Sequence, residues 1–359
     1  MEKKGYLLLE DGALYEGTLR GAQKEAAAEL VFLTSVVGYM DTLTDPSYEG
    51  QIVVQTFPAI GNYGVIPLDS PSAPKLSGYV VRELCEDPSN FRCQGKLDDY
   101  LRDNGVTCLT GVDTRAITRR LRDKGVMKGA ILCEMPQDIP AAVEALKAGA
   151  VKAEAKGCSE IIPAGKEGKY HVALWDFGAK ATVQAELESR GCAVTCLPAD
   201  CTADQLAELN PDGLVITGGA GDPADCVNAV NELREICRKR IPTMAIGLGH
   251  QLLALSQNGG TVKLPFGHRG GNQPIRDLRT GLNYITTQNH GYAVDNDNLP
   301  DNAALRFTNC NDGSCEGLDY SDMPAFSVQF IPQACGGPLD TRFLYERFIA
   351  LMGGNKECR

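Results

Sequence analysis

A corner of the chain between Ile241 and Gln257 has the pattern of a catalytic turn. Thr243 to Ile246 predicts a short buried strand, and apolar residues at 248, 252, 253 and 255 predict a helix that ends before Gly259. A strand-turn-helix corner of this type holds one residue in a strained conformation with its side chain aimed at substrate. That residue is Ser or Cys in enzymes, whereas here it is Gly247. The corner therefore keeps the shape of a catalytic site without an attacking atom.

The corner also carries a resemblance to a known family. Its central run is Ile246-Gly247-Leu248-Gly249-His250-Gln251. It resembles the elbow of class I glutamine amidotransferases, whose pattern is Gly-Ile-Cys-Leu-Gly-His-Gln, and within that class it is most similar to the small, glutaminase subunit of carbamoyl-phosphate synthetase. Because the match runs without a gap from Ile241 to Gln251, the resemblance places Gly247 at the cysteine position.

The segment Ala325–Asp340 continues this resemblance, where the family has Gly-His-Pro-Glu. It implies that Ile331 stands at the position of the catalytic base and Gln333 at that of the orienting carboxylate. Amide hydrolysis by this route needs a thiolate, an imidazole and a carboxylate. Loss of such a unit costs on the order of a millionfold in rate. We therefore expect no glutaminase activity, and Phe330, at a family glycine, should add bulk beside the site.

A glycine loop, Gly218-Gly219-Ala220-Gly221-Asp222-Pro223, follows a predicted strand. It lacks the ending of a P-loop and the spacing of a dinucleotide fingerprint, and Asp222 would repel an anion. The loop instead resembles the family's Gly-Pro-Gly-Asp-Pro loop, which forms part of an oxyanion hole. The resemblance implies oxyanion N–H donors at Gly219 and Leu248, and a close approach of substrate to Gly221.

Further positions match those with which the family holds glutamine. Taken alone, Gln251 could be a polar residue on a helix surface and Asn289 a turn former. The resemblance implies that His250 and His290 are not the catalytic base. The complete set of implied glutamine-binding positions is Ser35, Gly219, Gly221, Leu248, Gln251, Asn289, Gly291 and Tyr292.

Composition limits the other possibilities. The net charge of −11 argues against nucleic acid or an anionic membrane as the main partner. No stretch of 18 apolar residues and no signal-peptide core are present, so we expect a cytoplasmic protein. The 14 cysteines are scattered without metal-ligand spacing, which predicts reduced thiols and no metal site.

The pattern of apolar runs predicts an α/β protein with two domains. Residues 1–150 alternate short apolar runs with turns, which indicates a β-rich domain. Residues 151–169 have no apolar period and are interpreted as a linker. Residues 170–359 alternate strands and helices, which indicates a mostly parallel sheet covered on both faces. The family resemblance implies a class I glutamine amidotransferase-like domain here.

The first domain resembles the N-terminal domain of the synthetase small subunit, at residues 32–48 and 111–125. One predicted helix in it, Arg115–Lys124, is strongly basic. This helix could be a solvated face or a docking surface for an acidic partner.

The resemblance implies a subunit for arginine and pyrimidine biosynthesis. It would pair with a large synthetase subunit that binds ATP and magnesium, need no cofactor itself, and leave its partner to use free ammonia. A second interpretation is a non-catalytic or regulatory module that binds a glutamine-like molecule. A third keeps glutaminase activity through substitute groups, such as Cys335 or Cys226 with His250 or His290.

Overall fold

Two units make up the chain in the computed structural model, Met1–Ala153 and Glu154–Arg359. The structure describes residues 3–67, 72–333 and 337–354. Within these ranges no helix has the length and apolar character needed to cross a membrane.

The N-terminal unit is built mainly of strands, as the sequence predicts. Its strands are β1 (Lys4–Leu9), β2 (Leu14–Gly21), β3 (Ala26–Leu33), β4 (Gln51–Gln55), β5 (Ala59–Ile60), β6 (Gly78–Val80), β7 (Glu83–Leu84), β8 (Thr107–Thr110) and β9 (Met127–Leu132). Its helices are α1 (Tyr39–Thr44), α2 (Leu97–Asp103), α3 (Thr114–Lys124) and α4 (Ile139–Gly149). Seven strands close into a barrel in the order β1-β2-β8-β6-β4-β3-β9, and β5 pairs with β7.

Strand β1 shows how side chains are sorted in this unit. Leu7 and Leu9 join one apolar cluster, whereas Leu8 packs with Val143 and Leu146 of α4. Successive side chains of a strand point to opposite faces, so three consecutive leucines can serve two separate cores.

Helix α3 is amphipathic. The carboxylate of Asp113 accepts a hydrogen bond from the N–H of Ala116 over 2.9 Å and caps the first turn. Ile117 and Leu121, four positions apart, are buried in the core. The basic side chains therefore lie on the opposite face of the helix.

The C-terminal unit contains the remaining strands and helices. The strands are β10 (Tyr170–Trp175), β11 (Cys192–Leu197), β12 (Gly213–Ile216), β13 (Thr243–Ile246), β14 (Thr261–Asp277), β15 (Asn283–Val294), β16 (Ala303–Asn309), β17 (Cys315–Tyr320) and β18 (Ala325–Val328). The helices are α5 (Ala181–Ser189), α6 (Ala203–Glu208), α7 (Val227–Arg238), α8 (Leu248–Ser256) and α9 (Phe343–Met352).

These nine strands form one sheet in the order β11-β10-β12-β13-β18-β17-β16-β14-β15. The predicted parallel arrangement holds for the neighbours β11, β10, β12, β13 and β18. The strands β17, β16, β14 and β15 extend the sheet with antiparallel pairing. The sheet is therefore mixed, and its parallel half carries the alternating strand and helix pattern.

Helices cover both faces of the parallel half. One apolar cluster lies under α7 and α8 and includes Leu233 and Leu252, and the other lies under α5 and α9 and includes Leu187 and Phe348. In open sheets of this type, ligands bind beyond the carboxyl ends of the strands. The loops after β12, β13 and β18 meet at that edge, since the three strands are neighbours.

Candidate functional site

Gly247 forms the corner between β13 and α8, where its backbone has φ of 58° and ψ of −116°. L-residues rarely adopt such angles, because the Cβ atom approaches the backbone too closely. A Cβ atom built on Gly247 would lie 3.2 Å from the Cα of Gly218. The strand-turn-helix corner predicted from the sequence is therefore formed, and it faces the glycine loop.

The glycine loop follows β12 and depends on its glycines at two positions. A Cβ atom on Gly219 would meet the carbonyl oxygen of Phe177 at 2.2 Å, and Gly221 has φ of +100°. Only glycine fits at position 219 without a shift of the backbone. At position 221, glycine tolerates the positive φ angle that other residues rarely adopt. The loop can therefore lie close to the end of β10.

Helix α8 begins directly at the corner. The N–H of Gly249 donates to the carbonyl oxygen of Thr217 over 3.0 Å, which ties the first turn to the end of β12. Among the described residues, no acceptor receives the backbone N–H of Gly219 or of Leu248. The first N–H groups of a helix have no partner within the helix and carry partial positive charge. Two donors of the predicted oxyanion pair are thus available to a ligand.

The position predicted for the base lies just beyond β18. Ile331 donates its N–H to the carbonyl oxygen of Thr287 over 2.9 Å. Gln333 is buried, and its Oε1 accepts the hydroxyl of Tyr345 over 2.9 Å while its Nε2 donates to Thr182 over 3.3 Å. Neither side chain can transfer a proton near neutral pH.

Phe330 does not add the bulk that the sequence suggested. Its side chain is fully buried, and its ring packs edge-on against Phe307 with 5.5 Å between centroids. The Phe330 side chain is therefore part of the apolar core. The expectation that Phe330 crowds the site is therefore wrong.

Gln251 connects α8 to two other elements. Its Nε2 donates to the carbonyl oxygen of Tyr292 over 2.7 Å and to the Oε1 of Gln329 over 2.9 Å. The side chain is buried, so Gln251 is not a polar residue of an exposed helix surface. Gln329 was not identified from the sequence, although it stands two residues before Ile331 in the segment that carries the resemblance.

The other predicted glutamine-binding residues lie in two places. Asn289, Gly291 and Tyr292 are consecutive or nearly consecutive residues of β15, the strand that Gln251 contacts. Ser35 belongs to the N-terminal unit, just after β3, where its carbonyl oxygen accepts the Nε2 of Gln55 over 2.7 Å. All members of the set except Ser35 belong to the C-terminal unit.

His250 has no catalytic environment. It is completely buried, its Nδ1 lies 2.7 Å from the Oγ of Ser327, and burial lowers its pKa to about 3. The Sγ of Cys315 lies 3.9 Å from its Nε2, and burial raises the pKa of that thiol to about 12. The sequence did not single out Cys315, and the two side chains form a neutral buried pair rather than a thiolate with an imidazolium.

The other substitute groups are equally unsuited. Both ring nitrogens of His290 are engaged, Nδ1 by the carbonyl oxygen of Tyr292 and Nε2 by Gln288, and burial holds its pKa well below the usual range. Burial raises the pKa of the Cys226 thiol. Cys335 lies outside the described residues.

Three buried side chains, His268, His290 and Glu316, bring ligand-type atoms within 4.8 Å of one another. Each is already hydrogen-bonded: His268 to Asp312 over 2.9 Å, and Glu316 to Gln288 over 3.0 Å. Burial opposes a charge on His268, but Glu316 and Asp312 outweigh it and raise the pKa of His268. These hydrogen bonds form a buried polar network that links β14, β15 and β17.

Comparison with known proteins matches two family descriptions to this chain. Residues 7–131 match "Carbamoyl-phosphate synthase small chain, CPSase domain", and residues 173–351 match "Glutamine amidotransferase class-I". The first match lies in the barrel unit and the second in the unit that holds Gly247.

Curated relatives match along nearly the full length. The carbamoyl phosphate synthase small chain of Clostridium perfringens is 44% identical over 96% of this chain and 99% of its own length. That of Symbiobacterium thermophilum is 44% identical over 96% and 97% of the two chains, and that of Bacillus cereus is 43% identical over 99% and 97%. Identity at this level over both units shows common descent, and the chain belongs to the carbamoyl phosphate synthase small chain family.

Proposed function

We propose that this chain is the small-chain partner of a carbamoyl phosphate synthase large chain and has lost the hydrolysis of glutamine. The observation that carries the proposal is Gly247, which occupies a fully formed elbow without a side chain. Glycine has no side chain that could attack an amide, and the side chain of Ile331 cannot accept or donate a proton. The side-chain amide of Gln333 is hydrogen-bonded to the hydroxyl groups of Tyr345 and Thr182. The complex would then make its product from free ammonia.

Backbone donors at the elbow and in the glycine loop support a second part of the proposal, that the chain binds a glutamine-like amino acid without turning it over. Two N–H groups, those of Gly219 and Leu248, donate to no described residue. Such a pair suits the carbonyl oxygen of an amide. Gln251 is held against β15 by its bond to the carbonyl of Tyr292.

The experiment is a reconstitution with the cognate large chain. The complex should form on gel filtration at micromolar concentration, make carbamoyl phosphate from ammonium, and make none above background from glutamine. Glutamate release is measured in parallel, with the chain alone and in complex. Absence of a complex would contradict the partner role, and glutamate release would contradict the loss of hydrolysis.

A further inference from the structure

A cleft of about 320 Å³ lies in the C-terminal unit, at the end of the sheet opposite to the elbow. Arg240 and Asp322 line it, and they stand three residues before the first residues of β13 and β18. Gly247, in contrast, follows the last residue of β13. Because β13 and β18 run parallel, the cleft lies at their amino ends and the elbow at their carboxyl ends. The cleft is therefore separate from the site around Gly247.

Three arginine side chains line the cleft. Arg234 and Arg238 belong to α7, and since they are four positions apart they lie on the same face of that helix. Arg240 follows the helix with φ of 54°, in the left-handed region, where the chain turns toward β13. The chain as a whole has a net charge of −11, with 35 basic and 46 acidic residues. The cleft thus gathers positive charge in an acidic protein.

The positive charges are only partly balanced. Arg238 donates through Nη1 to both carboxylate oxygens of Glu235, over 2.6 and 2.7 Å. Among the described residues, Arg234 and Arg240 form no ion pair. The carboxylate of Asp322 also forms no ion pair within the part of the chain that the structure describes. Two guanidinium groups therefore stand against one free carboxylate, and an excess of one sign in a cleft attracts ions of the other sign.

The end of helix α8 also contributes to the electrostatics of the cleft. Its last carbonyl groups carry partial negative charge, which alone would oppose an anion. The Nε of Arg234 donates to the carbonyl oxygen of Ser256, the last residue of α8, over 3.3 Å. Its Nη1 donates to Asn231 over 2.9 Å, and its Nη2 has no acceptor among the described residues. The charge at a helix end, about half an elementary charge, is smaller than that of one guanidinium group.

A small hydrogen-bond network holds the wall of the cleft in place. The Nδ2 of Asn302 donates to the Oδ1 of Asp322 over 2.8 Å and to the Oε1 of Gln257 over 3.0 Å. The Nη2 of Arg240 donates to the carbonyl oxygen of Asp322 over 2.7 Å. The Nε and Nη1 of Arg240 and the Oδ2 of Asp322 have no partner among the described residues. Groups that are already positioned lose less conformational freedom when a ligand binds.

We propose that this cleft binds a small phosphate monoester that carries hydroxyl groups, such as a sugar phosphate. The planar guanidinium groups of Arg234, Arg238 and Arg240 match the oxygen atoms of a phosphate group. The Oδ2 of Asp322 accepts a hydroxyl group of the organic part and repels a second anionic group. The volume lies at the lower end of the range for small-molecule sites, roughly 300–1,000 Å³, so the cleft has room for more than a phosphate ion. This site does not depend on the proposed loss of glutamine hydrolysis.

Isothermal titration of the full chain compares ribose 5-phosphate with ribose and with inorganic phosphate. The unmodified chain should bind ribose 5-phosphate at least tenfold more tightly than either of the other two. Arg240→Gln and Arg238→Gln should each weaken this binding at least fivefold, because each removes a charge and unpaired donors. Arg276→Gln is the matched control. Arg276 is exposed on β14 of the same unit and pairs with no described side chain, so its loss should change the affinity less than twofold.

Each outcome decides a part of the proposal. No binding of ribose 5-phosphate at about 10 mM would overturn the site. Binding of ribose 5-phosphate no tighter than that of inorganic phosphate would overturn the role of Asp322 toward the organic part. Equal weakening by Arg276→Gln would assign the attraction to overall charge and overturn the cleft as its location. Thermal melts show which variants are folded, and since Arg238 and Glu235 are both exposed, Arg238→Gln provides the test if Arg240→Gln does not fold.

Discussion

The backbone N–H of Gly247 donates to the carbonyl oxygen of Val328, with 2.9 Å between the two atoms. This bond continues the parallel pairing of β13 with β18, in which Ile246 lies opposite Val328. It places the corner residue beside the segment that carries Gln329, Ile331 and Gln333. Parallel neighbours release their loops at the same edge of a sheet, so residues distant in sequence share one site.

Gly219→Ala should damage the site, because its Cβ would meet the carbonyl oxygen of Phe177 at 2.2 Å. Overpacking against backbone costs about 1–3 kcal/mol. Gly218→Ala is the matched control in the same loop, since its Cβ would find its nearest neighbour, the carbonyl oxygen of Ile246, at 3.9 Å. Urea unfolding should show a loss of stability for the first variant and less than about 0.5 kcal/mol for the second. Equal losses would contradict the close approach of loop and strand.

The triple change Gly247→Cys, Ile331→His and Gln333→Glu should produce glutaminase activity. It supplies the thiol, the imidazole and the carboxylate at a corner that is already formed. The rate of glutamate release should rise at least a hundredfold above that of the unmodified chain. This rise is much smaller than the roughly millionfold rate enhancement that an intact catalytic triad contributes. The measurement is a coupled glutamate assay at pH 7 to 8.

Its control is the same variant with Gly247→Ala in place of Gly247→Cys. Alanine imposes the same backbone strain at φ of 58° but provides no thiol. Activity in the alanine variant would show that the rise does not come from the restored nucleophile. No rise in the cysteine variant, although it folds and binds glutamine, would contradict the expectation that these three positions and the oxyanion donors are arranged for hydrolysis.

The sequence predicted the parallel strands and the corner because their signals are local. Buried strands such as Thr243–Ile246 read as continuous apolar runs, and Gly259 ends the following helix. The long hairpin of β14 and β15 was not predicted. Its exposed and buried residues alternate irregularly, with shifts in register between Lys263 and His268 and between Gly270 and Gln273.

Within the site, the residues of the elbow and loop could be found from their spacing, whereas the side-chain pairs could not. Gln251 and Gln329 meet only because α8 packs beside β18. The same holds for Gln333 and Tyr345, which lie on a loop and on α9. Phe330 shows the converse error, since it lies two residues beyond the end of β18 and joins the same apolar cluster as Phe326 and Val328 of that strand.

Stability should fall on acidification because His250 is buried in its neutral form. Burial lowers its pKa to about 3 from 6.5. The unfolded chain therefore binds a proton that the folded chain does not, and the stabilisation present above pH 6.5 is lost as the pH falls toward 3. Between pH 7 and pH 5 this amounts to about 2 kcal/mol. Urea unfolding of His250→Asn should show a pH dependence flatter by about this amount, and an unchanged slope would refute it.

The basic helix α3 allows the docking interpretation to be tested. Two of its cations are engaged within the barrel unit, since Arg120 and Lys124 pair with Asp11 at 2.7 and 2.8 Å. Arg115 and Arg119 lie exposed on the same helix. If this face docks an acidic surface of the large chain, changing both to Glu should weaken the complex at least tenfold and reduce its dependence on salt.

Lys24→Glu with Lys75→Glu is the matched control for that double change. Both lysines are exposed in the same unit, and the net charge changes equally. Affinity for the large chain, measured by surface plasmon resonance at 50 and 300 mM salt, should be close to that of the unmodified chain. Equal weakening by both pairs would mean that overall charge, and not the face of α3, governs association. Unchanged affinity of the α3 variant would leave this helix as a solvated basic face, because exposed charges that contact no partner contribute little to binding.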